Sequence, residues 1–271
     1  MKLLLTGKSN CGKTTLLEGF IESVPNKQGF VADEMRENGE RTGFRLVSSE
    51  GKTAMLANVD SPSDIRVSKY GVEIESLEQF LQELPPLNPE NLVYVDEIGQ
   101  MQLYSEEFKA LVTRYLDEAK IYAGTLTCMY EDDFTRAVRE RDDVVLLYIT
   151  PENRDDVKRA LQSIAEGMPA FMQMSSEMQD KITAMARQYV QNEDIIQLRK
   201  LFKNAVNYIA KGAVKQSAEG YIVAGNHGDH AVQQDSAGHY SCDCDLFNGR
   251  AEFAGAAGEC SHIQTIKLIT S

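Results

Sequence analysis

Lys2-Leu3-Leu4-Leu5-Thr6-Gly7-Lys8-Ser9-Asn10-Cys11-Gly12-Lys13-Thr14-Thr15 decides the fold of this 271-residue chain. An apolar run of strand length ends in Gly7-x-x-x-x-Gly12-Lys13-Thr14. The loop then runs into a segment with Leu16, Leu17, Phe20 and Ile21 at helical spacing. The glycines let the backbone curl so that successive N–H groups point at one anion. The helix that follows adds the positive end of its dipole at the same place. Lys13 can reach the outer phosphates of a triphosphate, and the Thr14 hydroxyl can meet a Mg²⁺ ion. Gly7, Lys8, Ser9, Asn10, Cys11, Gly12, Lys13, Thr14 and Thr15 are the candidate nucleotide-binding residues, and the implied ligand is a nucleoside triphosphate. A thiol at a helix start can be acidified, but a small residue offering its backbone N–H is the plainer reading of Cys11.

Further along, Leu92-Val93-Tyr94-Val95-Asp96-Glu97 is a near-continuous apolar strand ending in two carboxylates, as a strand buried on both faces should be. Its Asp96 is placed to support Mg²⁺. Glu97 is placed to polarise a water in line with the γ-phosphate. Strands are expected at 29–32, 44–47, 53–58, 121–125 and 144–149, with 44–47 and 53–58 forming a hairpin around Ser49-Glu50-Gly51. Helices are expected at 13–24, 77–84 and 106–119, with another opened by Pro151. Strands alternating with helices imply an α/β fold, a doubly wound and mostly parallel sheet.

Beyond about residue 167 the character changes. Residues 168–211 show no strand signal and read as a helical connector, with helices near 176–191 and 193–211. Met168, Met172, Met174, Met178 and Met185 fall here and read as flexible packing of helix faces. Residues 212–271 form a third part, rich in Gly, His and Asp. Hairpins are expected around 225–229 and 236–238, and a helix at 261–268. A module of this size needs a staple. Cys242-x-Cys244 and Cys260-x-His262 supply one: three cysteines and a histidine, the donor set of a closed structural Zn²⁺ site. His227, His230 and His239 read as hairpin residues. The expected domains are thus a nucleotide-binding domain at 1–167, a helical connector at 168–211 and a small zinc-binding α+β module at 212–271.

The net charge is −13, which disfavours a nucleic-acid backbone as partner. Residues 212–271 carry three Lys/Arg against seven Asp/Glu, so a protein is the better-matched partner for the zinc module. No apolar run is long enough for a membrane span and no export signal is evident. A cytoplasmic protein with no membrane contact is the expectation.

Several further segments carry a resemblance: Gly29-Phe30-Val31-Ala32-Asp33-Glu34-Met35-Arg36, Gly39, Arg41, Gly43-Phe44, Lys69-Tyr70-Gly71-Val72, Val95-Asp96-Glu97-Ile98-Gly99-Gln100-Met101-Gln102-Leu103, Gly124-Thr125 and Asn153-Arg154-Asp155. With the loop, they resemble the THEP1-type nucleoside triphosphatases over nearly the whole first domain. The resemblance implies slow hydrolysis of ATP, GTP and other triphosphates with little base selectivity. It makes Lys13 and Glu97 catalytic candidates. It adds Arg36 and Arg41 as residues facing the γ-phosphate, and Asn153 and Arg154 as base contacts. Two departures stand out: Ser68 replaces a family glycine, and Gln100 and Gln102 replace charged residues. The Cys-x-Cys…Cys-x-His spacing resembles the SWIM zinc finger. Two rival functions remain. One is a nucleotide or nucleoside kinase with Arg136, Arg139 and Arg141 as its lid. The other is a nucleotide-gated binding protein whose business is the zinc module.

Overall fold

The structure is a computed structural model that describes residues 1–245 and 259–271. It divides into two compact units, Met1–Pro151 and Glu152–Ser271.

The first unit is built on one nine-stranded sheet. Its elements in chain order are β1 (Lys2–Thr6), α1 (Lys13–Glu22), β2 (Lys27–Glu37), β3 (Glu40–Ser48), β4 (Thr53–Asn58), β5 (Arg66–Val67), β6 (Tyr70–Val72), α2 (Ile74–Gln82), β7 (Leu92–Ile98), α3 (Glu106–Glu118), β8 (Ile121–Leu126), α4 (Asp133–Glu140) and β9 (Val144–Tyr148). The strand order is β5-β6-β4-β3-β2-β7-β8-β1-β9. The five strands β2, β7, β8, β1 and β9 are parallel. The remaining four extend the sheet antiparallel from β2.

Period-two alternation sorts the strand side chains between two faces. Leu4, Val93, Val95 and Tyr122 share one core with Leu77 and Phe80 of α2 and Phe108, Val112 and Tyr115 of α3. Phe30 is the hub of that core, edge-on to Phe80 at 5.5 Å and to Phe108 at 6.4 Å. Helix α1 packs across β1, β7 and β8, burying Leu16, Leu17, Phe20 and Ile21. The strands meet closely where glycine allows it. A Cβ on Gly29 (φ 153°) would lie 1.9 Å from the Tyr94 carbonyl oxygen, and one on Gly124 would lie 2.6 Å from that of Val95.

In the second unit α5 (Arg154–Met172) and α6 (Ser176–Gln191) precede α7 (Ile195–Lys200), a wide π-type turn (Leu201–Ala205) and α8 (Val206–Ala210). The helix expected at 193–211 thus runs unbroken from Ile195 to Ala210, with the π-type turn inside it. At the π turn the Phe202 carbonyl oxygen faces α5, only 2.4 Å from where a Cβ on Gly167 would stand. The helix expected to open at Pro151 begins instead at Arg154, where the Val157 N–H first closes on the Asn153 carbonyl at 2.9 Å. A four-stranded antiparallel sheet follows: β10 (Val214–Ser217), β11 (Gly220–Gly225), β12 (Gly228–Gln234) and β13 (Tyr240–Cys242). The C-terminal helix, Ser261–Thr270, buries Ile263 and Ile266 in a small core with Val223, Val232 and Cys242. No helix among the described residues is long and apolar enough to cross a membrane.

Candidate functional site

Four parallel strands end at one sheet edge, where open α/β sheets bind ligands. The Gly7–Thr14 loop leaves β1 there. Gly7 (φ 147°), Asn10 (φ 64°) and Gly12 (φ 94°) carry its curl. A Cβ on Gly7 would sit 2.5 Å from the Ile149 carbonyl oxygen and 2.9 Å from Cys11 Sγ. Cys11 is thus a buried packing residue, 7% exposed. The Lys13 ammonium folds back over the loop and donates to the Gly7 and Lys8 carbonyls at 3.0 and 3.3 Å. In that pose it spans the cradle a phosphate would fill.

Strands β1 and β7 are two places apart in the sheet, about 10 Å, with β8 between them. Helix α1 bridges that gap and carries Lys13 and Thr14 toward the end of β7. The Thr14 hydroxyl hydrogen-bonds Asp96, and the Lys13 charge acts on both Asp96 and Glu97. Asp96 is 2% exposed and also accepts a hydrogen bond from the Thr125 hydroxyl at the end of β8. Burial pushes its carboxyl above the ordinary range, opposed by Thr125, Thr14 and Lys13. Glu97 is pushed up by burial and then by the Asp96 charge, again opposed by Lys13. The ladder between β7 and β8 shifts register between Val95 and Ile98, so these two acids stand in an irregularity. Gly99 leaves room for Glu97: a Cβ there would lie 3.1 Å from its Cγ and Cδ. A magnesium ion fits this donor set, a hydroxyl and a carboxylate of low exposure beside a phosphate cradle. Thr125 carried no role in the sequence reading; its only signal there was the Gly124-Thr125 pair.

The arginines fall elsewhere. Val31 pairs with Asp96, so β2 overhangs the site edge from Asp33 onward. Arg36 grips Glu34 Oε2 through Nε and Nη2 at 3.1 and 2.7 Å. Arg41 holds the other oxygen of the same carboxylate and lies over the Phe44 ring. Neither meets Lys13, Asp96 or Glu97 among the described residues. Asn153 directly precedes α5 and Arg154 is its first residue, both in the second unit. Arg136, Arg139 and Arg141 are committed to local partners: Glu131 and Asp133, Glu131, and Asp117 and Asp143 respectively.

A second cluster stands in the other unit. One ligand atom from each of Cys242, Cys244, Cys260 and His262 can be chosen so that all four lie within 4.8 Å of one another. The cysteines are 2–4% exposed. His262 Nδ1 is 3.6 Å from Cys242 Sγ and 3.8 Å from Cys260 Sγ. Cys260 opens the C-terminal helix and is held down, to about 4, first by a hydrogen bond from Cys242 and then, against burial, by His262 and the Ile263 N–H. Three thiols and an imidazole at this separation are the donor set of tetrahedral zinc.

A glycine-rich loop between strand and helix, with a lysine and a strand-end acid beside it, defines a P-loop nucleoside-triphosphate-binding protein. The comparisons narrow that class. Residues 2–162 match the family model described as NTPase. Nucleoside-triphosphatase THEP1 of Thermotoga petrophila is 36% identical over 163 residues, 59% of this chain and 90% of that protein. THEP1 of Archaeoglobus fulgidus is 33% identical over 171 residues, 62% of this chain and all of its own. The crystal structure of THEP1 from Aquifex aeolicus, 28% identical, superposes with a TM-score of 0.53 over 61% of this chain and 99% of that one. The chain belongs to the THEP1 nucleoside-triphosphatase family.

Proposed function

We propose that residues 1–167 hydrolyse nucleoside triphosphates to the diphosphate and phosphate in a Mg²⁺-dependent reaction. The observation that carries this is the convergence of the Gly7–Thr14 loop, Lys13, Asp96 and Glu97 on one sheet edge. The names of the relatives support it. The loop N–H groups bind the β-phosphate, and Lys13 leaves the Gly7 and Lys8 carbonyls to pair with the outer phosphates. Thr14 and Asp96 would hold Mg²⁺, which neutralises charge on the phosphate oxygens. Glu97 takes a proton from the attacking water; burial and the Asp96 charge raise its carboxyl and so strengthen it as a base. Arg36 and Arg41 stabilise the charge that develops on the γ-phosphate, and Asn153 and Arg154 contact the base. Arg136, Arg139 and Arg141, each occupied by acidic neighbours, offer little to a kinase lid.

We assign 168–211 as a helical connector and 212–271 as a SWIM-like module in which Cys242, Cys244, Cys260 and His262 hold a structural Zn²⁺. Its acidic composition favours a protein partner over nucleic acid.

The test is phosphate release from ATP and GTP with Mg²⁺ by the full chain. Turnover is expected, with Glu97→Gln lowering kcat by about 10²–10⁴-fold and Lys13→Ala weakening triphosphate binding as well. Full turnover by Glu97→Gln would sink the proposed base. Transfer to a nucleoside acceptor that outran hydrolysis would move the enzyme to the kinases.

A further inference from the structure

A metal-bound histidine is usually oriented by a hydrogen bond from its other ring nitrogen to a carboxylate or carbonyl. His262 is held differently. Its Nδ1 faces the sulfurs of Cys242 and Cys260, and no acceptor meets Nε2 among the described residues. The ring instead has an aromatic neighbour on each of two elements. Tyr208, on α8, stacks on it with centroids 5.5 Å apart and planes 14° from parallel. His230, on β12, lies 4.4 Å away at 31°. His230 is itself anchored, since its Nδ1 is 3.3 Å from Asp243 Oδ1. Asp243 is the residue between Cys242 and Cys244, and the same oxygen accepts the Ala231 N–H at 3.0 Å. The space beside Nε2 belongs to Gly225, where a Cβ would stand 2.7 Å from that nitrogen and 3.1 Å from His230 Cδ2.

We propose that Tyr208 and His230 are positioning residues that clamp the His262 imidazole with Nδ1 toward the three thiolates, Gly225 supplying the gap the ring needs. The proposal rests on the zinc reading above and assigns a task to residues outside the ligand set. Stacked rings fix the plane and tilt of an imidazole, which is the task a hydrogen-bonded carboxylate performs elsewhere. His230, a hairpin residue by sequence, would thereby join the Cys242-Asp243-Cys244 segment to the histidine that follows Cys260.

The experiment titrates the full chain with Co²⁺, followed by Zn²⁺ competition against a chromophoric chelator. Wild type is expected to show the intense visible bands of tetrahedral, thiolate-bound Co²⁺. His230→Leu, Tyr208→Leu and Gly225→Ala should each weaken Zn²⁺ binding by about 10–100-fold, the range for residues that orient ligands. His230→Phe and Tyr208→Phe keep a ring and should weaken binding less than the leucine variants, His230→Phe losing only its Asp243 contact. Absence of the Co²⁺ bands in wild type would remove the zinc reading, and the clamp with it. Wild-type bands with leucine variants that bind as wild type would overturn the clamp alone. So would phenylalanine variants as weak as the leucine ones. Should Tyr208→Leu fail to fold, the His230 pair decides, because that side chain is 22% exposed and tolerates exchange.

Discussion

Ser68 shows how one residue can be legible in sequence and explained only in space. The sequence resemblance sets it at a position where glycine is frequent, and by sequence it reads only as a departure. In the fold it is the first of the two turn residues between Val67 and Tyr70 of the β5–β6 hairpin, at φ 56°. That conformation costs a residue with a Cβ about 1–2 kcal/mol, and glycine is the usual choice at that corner. Part of the gain from a glycine would be offset by the freer unfolded chain. Ser68→Gly is therefore expected to raise unfolding free energy by about 0.5–1 kcal/mol; chemical denaturation checks it, and a loss of stability would contradict the strain argument. Thr125 makes the complementary case. Nothing in its spacing marks it, yet its hydroxyl is one of the two that meet Asp96. The pairing arises only because β8 lies between β1 and β7.

At the scale of elements, the β2–β3 hairpin is the part of the first unit whose role is least evident from pattern. Its strands outrun the sheet, and a register shift between Met35 and Arg36 breaks the ladder near the tip. Both candidate arginines share the Glu34 carboxylate, so a triphosphate would compete with that acid for them. Arg41 is the better placed, with its side chain 33% exposed against 52% for Arg36 and its guanidinium over Phe44. Arg41→Ala is expected to lower kcat by about a hundredfold, on the scale of removing one donor to developing charge. KM should change little, and Arg36→Ala should have the smaller effect. Steady-state kinetics with ATP tests this, and a loss confined to KM would make the arginines ground-state binders. Helix α1 was the most legible element, since a glycine loop, four apolar residues at helical spacing and one strand before it leave few alternatives. Within the equally expected helix at 195–210, the π turn was the least, because it sits where the Phe202 carbonyl meets Gly167 of α5 and no local signal marks it.

For the whole molecule, the two compact units differ in what holds them. The first has a large apolar core with aromatic contacts at its centre. The small sheet of the second closes on a core in which three of the buried residues are cysteines. Zinc sites of this kind contribute about 10–16 kcal/mol of apparent binding free energy at neutral pH. Stripping metal with a strong chelator is therefore expected to lose amide-exchange protection over 214–242 and 261–270 while β1, β7 and β8 keep theirs. Unchanged protection in the small sheet would show that it folds without a metal.

By itself the sequence determined the P-loop class, the parallel half of the sheet, the two acids at the end of β7 and the four-residue thiol–imidazole set. Each rests on local spacing, because backbone curl, strand alternation and chelate geometry are set within a few residues. Tertiary structure alone decided that Thr125 serves Asp96, that Arg36 and Arg41 share Glu34, that the sheet continues antiparallel beyond the 44–58 hairpin to β5, and that Tyr208 and His230 lie against the His262 ring. Those contacts join residues far apart in the chain, and strand order and helix packing bring them together. The same packing fixes which side chains can meet, and no periodicity in the sequence encodes it.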